Sequence, residues 1–489
     1  MKHPYVNAII EALGLAGADV ILYPSSSVSF PDHSLHMVKI RGKRHLLAVG
    51  EGASRSGFRG EPISSDMLLC PASHENRLVL NALIPTTVPQ AFGRDQTTFG
   101  VGDRLGIATP GHIRVLSRSW AKPILAQQSK RELALTGRTY EQVLDDVCFS
   151  VFQEGYTGGF GADGDHLKSI EEIMEALTCG YTMITLDCSS VIGKGIEQLS
   201  TQEAKERYLG LESFDRAQYE ERYLDRVFSI GGRDYTFTES DVIRCVLVYK
   251  NALEFVDTVY RECILSAGRE IDFELSIDET DSVTTPLDHL FVASELLSRA
   301  VQITSLAPRF AGEFQKGIDY IGDLAFLESE LEQHGAIADH FGYKLSIHSG
   351  SDKFSAFPMI GTHTGGRLHV KTSGTSWLEA VATIAHCDPS LYRRLHESAL
   401  ANFEAAKAFY HVSADLSRIR PLSIVSDDDL LSYFAQDDSR QLLHITYGFL
   451  LGDPELRTAI YDLLSQQEEI YYDRLMGHIG RHLHLLGIQ

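Results

Sequence analysis

Between Thr97 and Ile384 the chain repeats one rhythm: a short apolar run, a cluster of polar and Gly-rich residues, then an amphipathic helical pattern. Strands that alternate with helices in this way signal parallel βα units, because a parallel strand pair needs a crossover between its members. In order, the strand candidates are TTFGVGDR, PILAQQS, the segment ending GGFGADGDH, YTMITLDCSS, IDFELSIDET, VQITSLAPR, YKLSIHSGSD and RLHVKTSG. An open doubly wound sheet would carry the same local pattern, but eight units are the number that closes a parallel barrel. The expected fold is therefore α/β, a (β/α)8 TIM barrel.

The intervening helices carry their own signals. Leu167, Ile170, Ile173, Met174 and Leu177 share a helical face that Cys179-Gly180 ends. Thr285 is placed to cap a helix with Pro286 in its first position, and Asp288 follows. Ser376 with Glu379 reads as a capping box ahead of Trp377, Leu378, Val381 and Ile384. The barrel is expected over residues 96–387, preceded by an N-terminal α/β segment, 1–95, and followed by a helical C-terminal extension, 388–489. After the fourth strand, about 191–268 is too long for one connection; its charge-rich helix, Gly231-Gly232 turn and long helix from about Ser240 read as an insertion on the barrel rim.

A balance of 44 Lys and Arg against 66 Asp and Glu, net -22, disfavours nucleic acid or an anionic membrane as partner. The seven cysteines are scattered, without a C-x-x-C pair, so a disulfide framework or zinc knuckle is not expected and a reducing cytoplasm is. No stretch has the length of a membrane span or the form of a signal peptide. A small-molecule substrate is expected, and assembly into a homo-oligomer is compatible with this reading.

A barrel places the carboxyl ends of its strands on one rim, and chemically capable residues gather at those ends. In GADGDHLKS, His166 can offer a neutral imidazole to a metal while Asp165 moves a proton. In KLSIHSGSDKF, His348 closes an apolar strand; the following turn brings Ser349, Asp352 and Lys353, and its glycine and serines let backbone N–H groups approach an anion. In FELSIDET, strand alternation puts Glu274, Ser276 and Asp278 on one face, and inward carboxylates are costly without a cation. His166, Glu274 and His348 would form a mixed N/O set for Zn, Mn, Ni or Co, with Asp278 or His369 able to replace or supplement any member. Asp165, Glu279 and Lys353 are the candidate catalytic groups. Arg104, Arg309, Ser349, Asp352, His369 and Lys371 are the candidate substrate contacts, with arginine suited to bidentate grip of a carboxylate.

The run GADGDHLKSIEEIMEALTCGYTMITLDCSS resembles class II, metal-dependent sugar-phosphate aldolases, as does IHSGSD. Over nearly the whole chain, GVGDRLGIATPGH, GFGADGDH, FELSIDETDS, SLAPRF, IHSGSDKF and HVKTSGTSW resemble the tagaturonate epimerase family. The resemblance implies a divalent-metal-dependent barrel that interconverts D-tagaturonate and D-fructuronate, which differ at carbon 4. It implies that His166 and His348 are metal ligands and that Asp165 is the proton shuttle. Where the aldolases carry a further ligand histidine, SLAPRF has Arg309, and Glu274 is the expected third ligand. Since the hydrogen on carbon 4 is not alpha to the ketone, reversible retro-aldol cleavage between carbons 3 and 4 is the expected route. The alternatives are a class II-type aldolase acting on a keto sugar acid or sugar phosphate, a transient-oxidation epimerase with bound nicotinamide, and a non-catalytic sugar-binding protein.

Overall fold

A computed structural model describes residues 4–278, 282–372 and 374–489. Its central feature is a closed barrel of eight strands: β1 (Thr98–Val101), β2 (Lys122–Ser129), β3 (Gly161–Leu167), β4 (Met183–Asp187), β5 (Asp272–Ile277), β6 (Ser305–Pro308), β7 (Lys344–Ile347) and β8 (Leu368–Thr372). They follow one another around the barrel in chain order, with β8 beside β1. The architecture is the (β/α)8 barrel that the βα rhythm predicts, and each strand coincides with one of the eight candidate runs, β2 and β3 each extending one residue beyond theirs. Strands covered by helices outside and packed side chains inside lose water from both faces, and almost every strand residue is buried.

By internal contacts the chain forms two compact units, one of Met1–Pro89, Val101–Ala162 and Ser373–Arg481, the other of Gln90–Gly100, Asp163–Thr372 and His482–Gln489. In the first, the N-terminal segment folds as an antiparallel five-stranded sheet, in spatial order Val20–Ser29, Ser34–Ile40, Lys43–Val49, Met67–Pro71 and Glu61–Ser64. The C-terminal extension is helical, and Trp377, Tyr392, Leu442 and Tyr447 meet in its core. The second unit holds the ends of strands β3 to β8.

Between β4 and β5 the insertion comprises helices Thr201–Leu209 and Ser213–Tyr223, a hairpin of Val227–Ile230 with Arg233–Thr236, and helix Glu239–Val259. Gly231 and Gly232 close the hairpin at φ 58° and 78°, a left-handed pair that side chains disfavour. Thr285 caps helix Pro286–Ser298 as expected, and Asp288 bonds back to it to complete a reciprocal cap. The cap expected at Ser376 lies elsewhere. Helix Thr375–Cys387 begins two residues earlier, from Gly374 at φ 77°, and Ser376 Oγ inside it donates to Gly102 O. Among the described residues, no helix is long and apolar enough to cross a membrane.

Candidate active site

Three strand ends of the second unit build the site. In β3, alternation directs Asp163 and Asp165 to the same face, and the pairing with β4 then slips between Gly164 and Leu167. His166 occupies the slip at φ 56°, a left-handed conformation that costs a non-glycine residue roughly 1–2 kcal/mol. Its ring lies 4.8 Å from that of His348, which follows β7 directly. Beyond His348 the chain turns sharply, with Ser349 at φ 51° and Asp352 at φ 64°. Gly350 makes that turn possible: its N–H donates to Lys371 O at 2.9 Å, and a Cβ there would stand 2.7 Å from Val370 Cγ1. Asp278 follows β5.

Atoms of His166, Asp278 and His348 lie within 4.8 Å of one another. The remaining bonds indicate which nitrogen each imidazole can offer. His166 Nδ1 is held by Asp165 Oδ1 at 2.7 Å, leaving Nε2, and His348 Nε2 is held by Glu274 Oε1 at 2.7 Å, leaving Nδ1. His348 Nδ1 is buried without a hydrogen bond, although Asp278 Oδ2 is 3.2 Å away. Two imidazoles and a carboxylate, with each imidazole hydrogen-bonded through its far nitrogen, form a donor set suited to a catalytic divalent metal. Bonds of about 2.0–2.2 Å would require the three groups to draw together slightly.

Glu274, the third ligand expected from the sequence, is not in that group. It is fully buried behind His348, where it also accepts from Ser305 Oγ at 2.5 Å and Thr185 Oγ1 at 3.2 Å and pairs with Lys371 at 3.1 Å. Lys371 is itself 3% exposed, with Nζ at 2.7 Å from Asp163 Oδ2 and 2.6 Å from Asp165 Oδ1, and it donates to Thr185. Burial opposes its charge, but Asp163, Asp165 and Glu274 outweigh burial and raise its pKa. Burial likewise opposes ionisation of Asp165, yet His166 and Lys371 hold it well below the usual carboxylate range. His348 is pushed up to about 10 against burial by Asp278 and Glu274. Four carboxylates thus face one lysine and two imidazoles, an acidic field that favours a cation.

The other expected site residues separate into two groups. Arg309, directly after β6, and Ser349 are half-buried on the rim, and Ser349 Oγ accepts from Lys316 Nζ at 3.0 Å. Four residues expected at the substrate are buried. Lys371 is one; His369 Nδ1 meets Thr98 Oγ1 at 2.8 Å, and burial drives its pKa down to about 3. Asp352 N–H donates to His482 Nε2 at 3.0 Å. Arg104, in the first unit, bonds Glu132 at 2.7 Å and His444 O at 3.2 Å and lies 3.7 Å over the Tyr447 ring, the arrangement of a structural cation. Lys353 is a buried staple, donating to Gln315 O, Ile318 O and Ser351 O at 2.8, 2.6 and 2.9 Å. Glu279 lies outside the described residues. Asp163, Thr185 and Lys316 were not anticipated; the spacing of Asp163 from Asp165 carries a signal, whereas Lys316 sits in a loop without a pattern.

The family model described as UxaE, tagaturonate epimerase, matches residues 23–486. A tagaturonate/fructuronate epimerase of Thermotoga maritima is 44% identical over 462 residues, 93% of this chain and 94% of the relative. The native crystal structure of fructuronate-tagaturonate epimerase UxaE from Cohnella laeviribosi aligns with TM-score 0.95 and 51% identity over 100% of both chains. A complex of that Cohnella enzyme with one glycerol matches with the same figures. On this extent and identity, the chain belongs to the tagaturonate epimerase family.

Proposed function

We propose that this chain interconverts D-tagaturonate and D-fructuronate at carbon 4 with a divalent metal held by His166, His348 and Asp278. The observation that carries the reading is the grouping of these three side chains beside an ionised Asp165. A metal there would polarise the substrate ketone and so lower the barrier to cleaving the adjacent carbon–carbon bond.

The protein's own groups account for the proton and the fragments. Asp165 Oδ1 is occupied by His166 and Lys371, and among the described residues no hydrogen bond falls on Oδ2. Oδ2 is thus the oxygen that takes the proton from the carbon 4 hydroxyl. As that hydroxyl becomes an aldehyde, the carbon 3–carbon 4 bond breaks and its electron pair enters the ketone, giving a three-carbon enediolate and 2-hydroxy-3-oxopropanoate. Rotation of the aldehyde presents its other face; carbon 3 re-forms the bond, and Asp165 returns the proton to the new carbon 4 oxygen. The carboxylate travels with the aldehyde, so Arg309 and Lys316 on the rim serve as the pivot that keeps this fragment in the site.

The test is turnover of D-tagaturonate in deuterium oxide by metal-loaded enzyme, using a mixture of unlabelled substrate and substrate carrying 13C at every carbon. Expected are fructuronate without deuterium at carbon 4, and a minor share of half-labelled product or trapped three-carbon aldehyde from the fragment that escapes the pivot. Deuterium at carbon 4 with both fragments strictly retained would overturn the route.

A further inference from the structure

The two imidazoles grouped with Asp278 are each backed by a carboxylate, and those carboxylates come from strands that β4 separates: Asp165 from β3 behind His166, and Glu274 from β5 behind His348. One ammonium group spans both. Lys371 Nζ, from β8, lies 2.6 Å from Asp165 Oδ1 and 3.1 Å from Glu274 Oε1, the same two oxygens that hold the imidazoles. The Lys371 carbonyl also accepts the Gly350 N–H and so anchors the turn that follows His348.

We propose that Lys371 is a positioning residue that sets the orientation and tautomer of both metal-facing histidines at once, through Asp165 and Glu274. The proposal rests on the metal reading above. A histidine ring presents a lone pair to a metal only when its other nitrogen holds the proton, and a hydrogen bond to an ionised carboxylate fixes both the proton and the ring plane. Three carboxylates sharing a dry site repel one another, and a single ammonium group in contact with all three offsets that repulsion. Lys371 Nζ meets the same oxygen of Asp165 and of Glu274 that holds the imidazole, and so fixes where each of those oxygens sits and the direction in which each ring is held. By loading Oδ1 of Asp165 it also turns Oδ2 toward the substrate. At 3% exposure, with its contacts made to three carboxylates and a hydroxyl, Lys371 acts through these groups rather than on the substrate.

Removing the lysine alone would strand buried carboxylates, so the informative variant pairs Lys371→Met with Asp163→Asn, and the reference is Asp163→Asn alone. Cobalt(II) is titrated into each metal-free chain against a chromophoric chelator, the visible spectrum of the bound ion is recorded, and folding is checked by circular dichroism. Relative to the reference, the double variant is expected to bind cobalt about 10- to 100-fold more weakly, with a shifted visible band. At saturating cobalt its kcat falls while KM changes little. Cobalt affinity and spectrum equal to the reference, or a raised KM with kcat preserved, would overturn the positioning role alone. A natural-sequence chain that takes up no cobalt or other divalent metal would instead overturn the metal reading, and this proposal with it.

Discussion

Replacing Asp278 and Glu274 by their amides, one at a time, separates a metal ligand from the carboxylate behind one. Asp278 is grouped with His166 and His348, whereas Glu274 Oε1 stands 2.7 Å from the far nitrogen of His348. Structural zinc sites bind with about 10–16 kcal/mol over four ligands, so one ligand contributes roughly 3 kcal/mol, about 100-fold in affinity. Asp278→Asn is expected to weaken metal binding on that scale. Glu274→Gln keeps an oxygen acceptor for His348, but a charge-assisted bond of about 1.5–3 kcal/mol becomes a neutral one of about 1 kcal/mol. The loss of about 0.5–2 kcal/mol corresponds to roughly 2- to 30-fold in affinity. Cobalt titration of the two metal-free variants against a competing chelator measures both values, and circular dichroism confirms that each is folded. Weaker binding by Glu274→Gln than by Asp278→Asn would refute the assignment and return Glu274 to the metal.

Other perturbations probe groups that the fold sets apart. Arg104→Met leaves Glu132 buried and unpaired and should lower unfolding stability by about 3–5 kcal/mol without altering KM for tagaturonate; an unchanged urea midpoint with a raised KM would contradict this. Lys316→Met should raise KM by about tenfold, the lower end of a charge-assisted hydrogen bond, and change kcat less. An unmoved KM would place the carboxylate pivot elsewhere. Burial lowers the pKa of His112, His334 and His396 to about 4. Below pH about 6.5 the unfolded chain therefore binds protons that the folded chain does not, and each of these residues should remove about 1.4 kcal/mol of stability for each pH unit until about 4. A urea midpoint equal at pH 7.5 and 5.5 would show that the three histidines are not held neutral.

The eight strands are legible because each couples an apolar run to a strand-end polar cluster, and the insertion is legible because its length breaks that rhythm. Alternation also puts Glu274, Ser276 and Asp278 on one face, but it does not specify depth. At about 3.3 Å per residue, four positions move a side chain roughly 13 Å along the strand. Only the residue past the strand end joins the histidines, while Glu274 remains behind them in the barrel. The cations show a different limit. A lysine at a strand end looks the same whether it faces substrate or a buried acid, and the partner that decides is remote in sequence: 28 positions separate Arg104 from Glu132, and 208 separate Lys371 from Asp163. The cap expected at Ser376 missed by two residues because Gly374 can start the helix in a conformation closed to most residues.

The left-handed backbone at His166 sets stability and activity in opposition. Glycine would relieve roughly 1 kcal/mol of strain there, partly offset by its greater freedom in the unfolded chain, but it would also remove an imidazole from the site. Ser349 and Asp352 share the conformation in the turn after His348. Selection for heat resistance alone would therefore tend to replace these side chains, and a library screened separately for folding and turnover should disagree most sharply at these three positions.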